Sequence, residues 1–191
     1  MSPAGIVRPA RTDELEVLRA LEVAAGAAFR DLGMDAVADD APPSAVVLSG
    51  ARERGGLWVL AVDDGPVAYL IDDVVDGDAH LEQVSVHPGW SRRGYGARLV
   101  EDLARRARAA GRAAITLTTF VDVPWNAPYY TRLGFRPLSD DELGPGLTAV
   151  RRAEIARGLD RWPRTAMRRV VAGATVSRTG TRPALRRRLA D

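Results

Sequence analysis

The residues of this chain best equipped for chemistry stand in one short run, Arg92-Arg93-Gly94-Tyr95-Gly96-Ala97. Upstream, Val84 and Val86 alternate with shorter or polar residues as a half-buried strand does, and Pro88-Gly89 ends that pattern because proline lacks a ladder N–H. Downstream, Leu99, Val100, Leu103, Ala104 and Ala107 share one helical face, with Arg, Asp and Glu on the other. Strand, Arg/Gly turn and helix in that order present backbone N–H groups at the positive end of a helix, and glycines let an anion approach that backbone. Arg92, Arg93 and Arg98 add charge where a phosphate would sit. Any tight strand-to-helix turn needs glycines, however, so phosphate binding and a plain solvated turn both fit these residues taken alone.

A second run, Asn126-Ala127-Pro128-Tyr129-Tyr130-Thr131-Arg132-Leu133-Gly134-Phe135, sets two phenols side by side. Other chemistries are closed off. The chain has no cysteine, which excludes disulfides, thiolate nucleophiles and cysteine-ligated metals. All 27 basic residues are arginine, which argues against a P-loop, a Schiff-base lysine and a lysine general base. A dinucleotide fingerprint needs glycine where Leu99 stands. Gly89-Trp90-Ser91-Arg92-Arg93 begins like a nucleophile elbow but lacks the closing glycine, and the two histidines, His80 and His87, flank one strand. Neither a serine hydrolase nor a histidine-rich metal site is expected, and no metal is assigned.

The elements that must position these runs follow from periodicity and punctuation. Ile6-Val7-Arg8 reads as a strand, Thr12-Asp13-Glu14 as a helix cap, and Leu15, Leu18, Leu21, Glu22 and Ala25 as one helical face reaching to about Phe29. Residues 31–42 read as acidic and irregular, and a helix from Ala45 to Arg54 follows Pro43-Ser44. Strands over 58–62, 66–75 and 80–86, joined by Asp63-Asp64-Gly65 and Asp76-Gly77-Asp78, form an antiparallel meander that feeds the Arg/Gly turn. The strand 114–120 follows the helix, and a strand-helix-strand unit makes its two strands parallel. A short helix 127–133 capped by Asn126, a strand from Phe135, a helix 147–158 and a last strand 165–171 complete the pattern.

At 191 residues the chain suits one domain, assigned here to 1–171, with 172–191 as a basic, flexible tail. The amino terminus shows no secretory-type apolar core and no window suits a membrane span, so a soluble, cytoplasmic protein is expected. Charge is uneven: 6 arginines against 16 carboxylates in residues 1–90, then 21 against 9 in 91–191. A basic half beside an acidic one suits an anionic ligand, whose extreme is nucleic acid, but interleaved aromatics and recognisable RNA or DNA motifs are lacking.

Taken together, Val86-x-Pro88, Arg92-Arg93-Gly94-Tyr95-Gly96 and Tyr130-x-x-Leu133-Gly134-Phe135, in that order and a helix apart, resemble the GNAT superfamily of acyl-CoA-dependent N-acyltransferases over about residues 5 to 171. The resemblance implies an α/β fold: a mixed, mostly antiparallel sheet flanked by helices, with strands parting at a central acyl-CoA cleft. It implies acetyl-CoA as cosubstrate, its pantetheine arm along Val84, Ser85 and Val86 and its pyrophosphate on Arg92, Arg93, Gly94, Tyr95, Gly96 and Ala97. A backbone N–H near Val84 would polarise the thioester carbonyl, and a primary amine of a small molecule or peptide would attack directly in a ternary complex.

In that family's pattern Tyr130 takes the position of the acid that protonates the leaving thiolate, with Tyr129 left to packing; a phenol keeps its proton at neutral pH. For the base, Glu82 lies two residues before Val84, which places it on the same strand face and toward the cleft; His80, two residues earlier, and a water chain are the alternatives. The chain departs from the family pattern in two places. Ser91 stands where Gln or Arg is usual, and Asn126 lies four residues before Tyr130 rather than about two turns, so its pantetheine contact competes with simple capping. A non-catalytic acyl-CoA sensor is the alternative function, and a homodimer is compatible with the pattern.

Overall fold

The computed structural model describes residues 5–171; the basic tail assigned to 172–191 lies outside the described residues. Seven strands form one open sheet: β1 (Ile6–Pro9), β2 (Leu57–Val62), β3 (Gly65–Val75), β4 (Asp78–Val86), β5 (Ala114–Phe120), β6 (Arg136–Pro137) and β7 (Arg164–Val170). The helices are α1 (Leu15–Gly26), α2 (Asp35–Ala38), α3 (Ala45–Glu53), α4 (Tyr95–Ala109), α5 (Ala127–Arg132) and α6 (Pro145–Ala156). The strand order is β1-β2-β3-β4-β5-β7-β6, antiparallel throughout except for the β4/β5 pair. This is the mixed, mostly antiparallel α/β architecture expected.

Both hairpins of the meander turn on positive φ: Asp63 and Asp64 in the first, Asp76 and Gly77 in the second, a twist that matches the strands they join. The segment read as a helix cap, Thr12-Asp13-Glu14, leads directly into α1. Thr12–Glu14 is a 3₁₀ turn whose Glu14 carboxylate is buried, accepting from the Arg11 backbone at 2.8 Å and from Arg8 at 2.6 Å. The helix expected to reach about Phe29 ends at Gly26 and continues as a 3₁₀ segment over Ala27–Leu32, and α2 lies inside 31–42, which reads as irregular because no long apolar period marks it.

Each face of the sheet carries its own core. On one, Leu99, Val100, Leu103, Ala104 and Ala107 of α4 pack on Leu60, Leu70, Leu81, Ile115, Leu117 and Met167, with Tyr130 and Phe135 closing the cluster. On the other, Leu15, Leu18 and Leu21 of α1 and Leu48 of α3 cover Leu57, Val59, Tyr69 and Ile71. A smaller cluster of Met34, Phe120 and Val123, with Phe29 and Trp162 against it, joins the end of β5 to the segment after α1. Among the described residues, no helix is long and apolar enough to cross a membrane.

Two features of the sheet create the site. First, β4 and β5 pair only at Ala79↔Ile115, His80↔Thr116 and Leu81↔Leu117, after which β5 stays with β7 and β4 continues beside β3 alone. Second, Gln83 lies opposite Ile71 and Leu81 opposite Asp72, so Glu82 is an extra residue, a β-bulge just where the strands part.

Candidate active site

The Arg/Gly turn is built on two left-handed residues, Arg92 at φ 58° and Gly94 at φ 79°, which swing the chain from the Pro88–Trp90 turn into α4. Gly94 is the helix N-cap and offers no side chain; the first helical return is Arg98 N–H to the Gly94 carbonyl, so the N–H groups of Gly96 and Ala97 point out of the helix end without a helical acceptor. The Arg93 guanidinium stacks over Trp90 at 4.7 Å and reaches the Gly89 carbonyl at 3.4 Å. Among the described residues neither Arg92 nor Arg93 pairs with a carboxylate, so their charge adds to that of the helix end. Arg98 departs from the expectation: its guanidinium donates to the Gly5 carbonyl and lies over the Tyr95 ring, tying α4 to the start of the chain instead of facing the turn.

Beside the turn runs the half of β4 that β5 has left. His87 donates its N–H to the Val67 carbonyl of β3, so alternation aims the N–H and C=O of Val84 and Val86 away from β3, into the gap. Their side chains pack on the α4 cluster. Ser85 goes the other way. Its backbone belongs to the β3 ladder and its hydroxyl donates to Glu22 at 2.5 Å on the α1 face.

The two tyrosines of α5 pack edge-on against each other. Tyr130 is buried, its ring 5.6 Å from Tyr129 and 5.7 Å from Phe135, and burial pushes its phenol well above the usual range. Tyr129 packs against the α4 cluster, and its hydroxyl lies 3.1 Å from where a Cβ on Gly96 would stand, with Val86 Cγ2 3.6 Å from the same point. A side chain at position 96 would press on that phenol, so glycine here keeps turn, α5 and the end of β4 in contact. Asn126 occupies the N-cap of α5 through its carbonyl, which accepts from Tyr130 N–H at 2.9 Å, but its side chain makes no capping bond.

Glu82 does not share a face with Val84. The bulge breaks the two-residue alternation, and its carboxylate approaches Arg54 at 3.5 Å on the α3 side while Val84 packs under α4. Its side chain is 48 % exposed, yet desolvation by its surroundings raises its pKa, with Arg54 pulling the other way. His80 is buried at the last turn of pairing before the gap, its Nδ1 3.0 Å from Thr116 Oγ1, and burial lowers its pKa so that it stays neutral.

One residue of this region carries no assignment from the sequence. Glu22 of α1 accepts from the Tyr69 hydroxyl at 2.7 Å and the Gln83 amide at 2.8 Å as well as from Ser85. The signal was a carboxylate set in the apolar stripe of Leu15, Leu18 and Leu21.

An open mixed sheet that parts beside an uncapped helix start is the framework of an acyl-transfer enzyme. Residues 18–135 match the model of the acetyltransferase (GNAT) family, and the chain belongs to that family. In fold it is similar to N-acetylglutamate synthase from Neisseria gonorrhoeae, solved with coenzyme A and N-acetyl-glutamate, at TM-score 0.67 and 16% identity over 91% of this chain; it spans 36% of that protein's length. It is also similar to the ribosomal-protein-S18-alanine N-acetyltransferase from Escherichia coli, at TM-score 0.64 and 20% identity over 91% of this chain and 98% of that one. A third likeness, at TM-score 0.64 and 11% identity over 87% and 99% of the two chains, is to PaiA N-acetyltransferase from Thermoplasma acidophilum in complex with coenzyme A. Identities this low speak to shared fold.

Proposed function

We propose that the chain moves an acetyl group from acetyl-CoA to a primary amine of a small molecule or peptide, by direct attack in a ternary complex, and that it works in the cytoplasm as a single domain. The observation that carries this reading is the parting of β4 from β5 after Leu81 and Leu117, directly beside the uncapped start of α4. The left-handed pair at Arg92 and Gly94, the outward N–H groups and two arginines without carboxylate partners fit a pyrophosphate. Backbone groups of Val84 and Val86 fit the amide-rich pantetheine arm. When bound, acetyl-CoA supplies an activated acetyl thioester.

Every remaining task falls to this chain. The Val84 N–H, aimed into the gap, stabilises charge that develops on the carbonyl oxygen. Glu82 takes the proton the amine must lose, its raised pKa making it the stronger base, with His80, held neutral, and a water chain as the alternatives. Tyr130, kept protonated by burial, gives its proton to the departing thiolate. Asn126 offers its side-chain amide, which makes no capping bond, whereas Ser85 has its backbone in the β3 ladder and its hydroxyl on Glu22 and adds no group of its own to the pantetheine site.

Thiol release from acetyl-CoA in the presence of a panel of amines tests the reading. Tyr130→Phe keeps the ring between Tyr129 and Phe135 and removes only the proton source, so turnover should fall about 10²–10⁴-fold with little change in KM for acetyl-CoA. Coenzyme A binding without transfer to any amine would make the chain a sensor. Equal turnover in variant and wild type would return Tyr130 to packing.

A further inference from the structure

Among the described residues, every carboxylate that is not exposed meets an arginine, with one exception. Glu14 meets Arg8 at 2.6 Å, Asp72 and Asp102 each meet Arg106 at 2.9 Å, Asp78 meets Arg168 at 3.1 Å, and Glu154 meets Arg151 at 2.5 Å and Arg164 at 2.7 Å. Glu22 is the exception. Half-buried on the sheet side of α1, it accepts only from neutral donors, the hydroxyls of Tyr69 and Ser85 and the amide of Gln83. In a chain with 27 arginines this is a distinctive arrangement. Three neutral hydrogen bonds orient a carboxylate and spread its charge, but they leave the charge itself in place, and a partly desolvated charge is costly until a counter-charge arrives.

Its position says where the counter-charge comes from. Gln83 and Ser85 belong to the half of β4 that has lost β5 as neighbour, on either side of Val84. Glu22 therefore stands over the α1 face of the same stretch whose backbone edge opens into the gap. Farther along the same segment of chain, Phe29 packs edge-on against Phe120 at 5.8 Å and Trp125 at 5.5 Å, and Trp125 is 40% exposed. An anion and a part-exposed aromatic surface thus lie on one side of the parted strands.

We propose that Glu22 anchors the acceptor in its cationic form, so that the enzyme selects primary amines that arrive as ammonium ions on an apolar or aromatic body. This rests on the acetyl-transfer reading and names its acceptor class. The ammonium docks on the Glu22 carboxylate from the α1 face, and its apolar body lies along Phe29 and Trp125. Tyr69, Ser85 and Gln83 fix the carboxylate so that the ion enters one geometry. Deprotonation and attack follow at the β4 edge one residue away, so Glu22 sets affinity and position, and proton removal stays with the base already assigned.

The test is titration calorimetry of the full chain, with and without saturating coenzyme A, using hexylamine and its neutral match hexan-1-ol. Wild type should bind hexylamine at least about 10-fold tighter than hexan-1-ol, and rising salt should weaken only the amine. Glu22→Gln, which keeps size and most of the hydrogen bonding, should weaken hexylamine about 10- to 100-fold, the range of a charge-assisted hydrogen bond, with hexan-1-ol, coenzyme A affinity and Tm unchanged. In thiol-release assays KM for hexylamine should rise while kcat holds, and Glu22→Asp should recover part of the loss. Equal hexylamine affinity in the variant, absence of discrimination in wild type, or a joint fall of coenzyme A affinity and Tm would each overturn the proposal. Amine binding that depends on Glu22 without any thiol release would instead sink the acetyl-transfer reading and leave the anchor standing.

Discussion

A buried imidazole at the mouth of the gap carries a measurable pH signature. His80 sits against Thr116 with its pKa lowered, chiefly by desolvation; the carboxylates of Glu154, Asp73 and Asp76 act in the opposite sense and are outweighed. The unfolded chain takes up a proton near pH ~6.5 that the folded chain refuses. Stability is therefore full above that value and is lost as pH falls from ~6.5 toward the lower folded pKa. Thermal melts of wild type and His80→Gln between pH 8 and 5 should diverge, the wild type losing more Tm on acidification. Parallel curves would mean that His80 protonates as readily in the fold as in the unfolded chain.

At the scale of the element, the turn before α4 carries a conformational cost that the proposed anion site explains. Arg92 is held at φ 58°, a region that costs an L side chain roughly 1–2 kcal/mol, whereas glycine enters it freely at an entropic cost of about 0.5–1 kcal/mol. Arg92→Gly should therefore raise Tm by about 1–4 °C, at the ~2–4 °C per kcal/mol of a chain this size. The same change removes a guanidinium from the end of a helix that already lacks a side-chain cap, so coenzyme A should bind several-fold more weakly at low salt. Differential scanning fluorimetry and titration on one preparation read both effects. A fall in Tm with unchanged coenzyme A affinity would show that the arginine stabilises the turn and takes no part in the anion site.

For the molecule as a whole, the half of the sheet beyond the gap is tied together by the β5/β7 ladder, the core residues Ile115, Leu117 and Met167, and one buried carboxylate. Glu154 on α6 accepts from Thr118 of β5 and from Arg164 of β7, and Arg151 joins it from the same helix. Desolvation opposes the charge, but the arginines and Thr118 outweigh it and hold the carboxyl below its usual range. Glu154→Gln would leave two guanidinium groups facing a neutral amide, a loss of about 3 kcal/mol, or about 6–12 °C in Tm. Hydrogen exchange should then speed up in β5–β7 ahead of β1–β3. A uniform loss across the sheet would show that the two halves unfold as one unit.

What the sequence determined by itself is whatever depends on neighbours a few residues apart. The strand at Ala114–Phe120, the amphipathic α4 and the hairpins on Asp-Asp-Gly and Asp-Gly follow from periodicity and turn chemistry, and the Arg/Gly turn was legible because helix start and glycines are adjacent in the chain. Tertiary structure decided what depends on pairing over distance. The bulge that turns Glu82 away from Val84 comes from β3 and β4 settling their register, which no alternation within one strand reveals. The order β4-β5-β7-β6, and the point after Leu81 where β4 leaves β5, are set by pairing between segments far apart in the chain. Asp76 caps α6 by accepting from Gly146 and Leu147 N–H groups 70 and 71 residues onward, so that helix begins at Pro145 and not where its apolar period starts. Glu22 became an anchor only when α1 laid it on Tyr69, Gln83 and Ser85, because a charge acquires its meaning from the partners that folding brings within hydrogen-bond reach, and those partners lie 47 to 63 residues away.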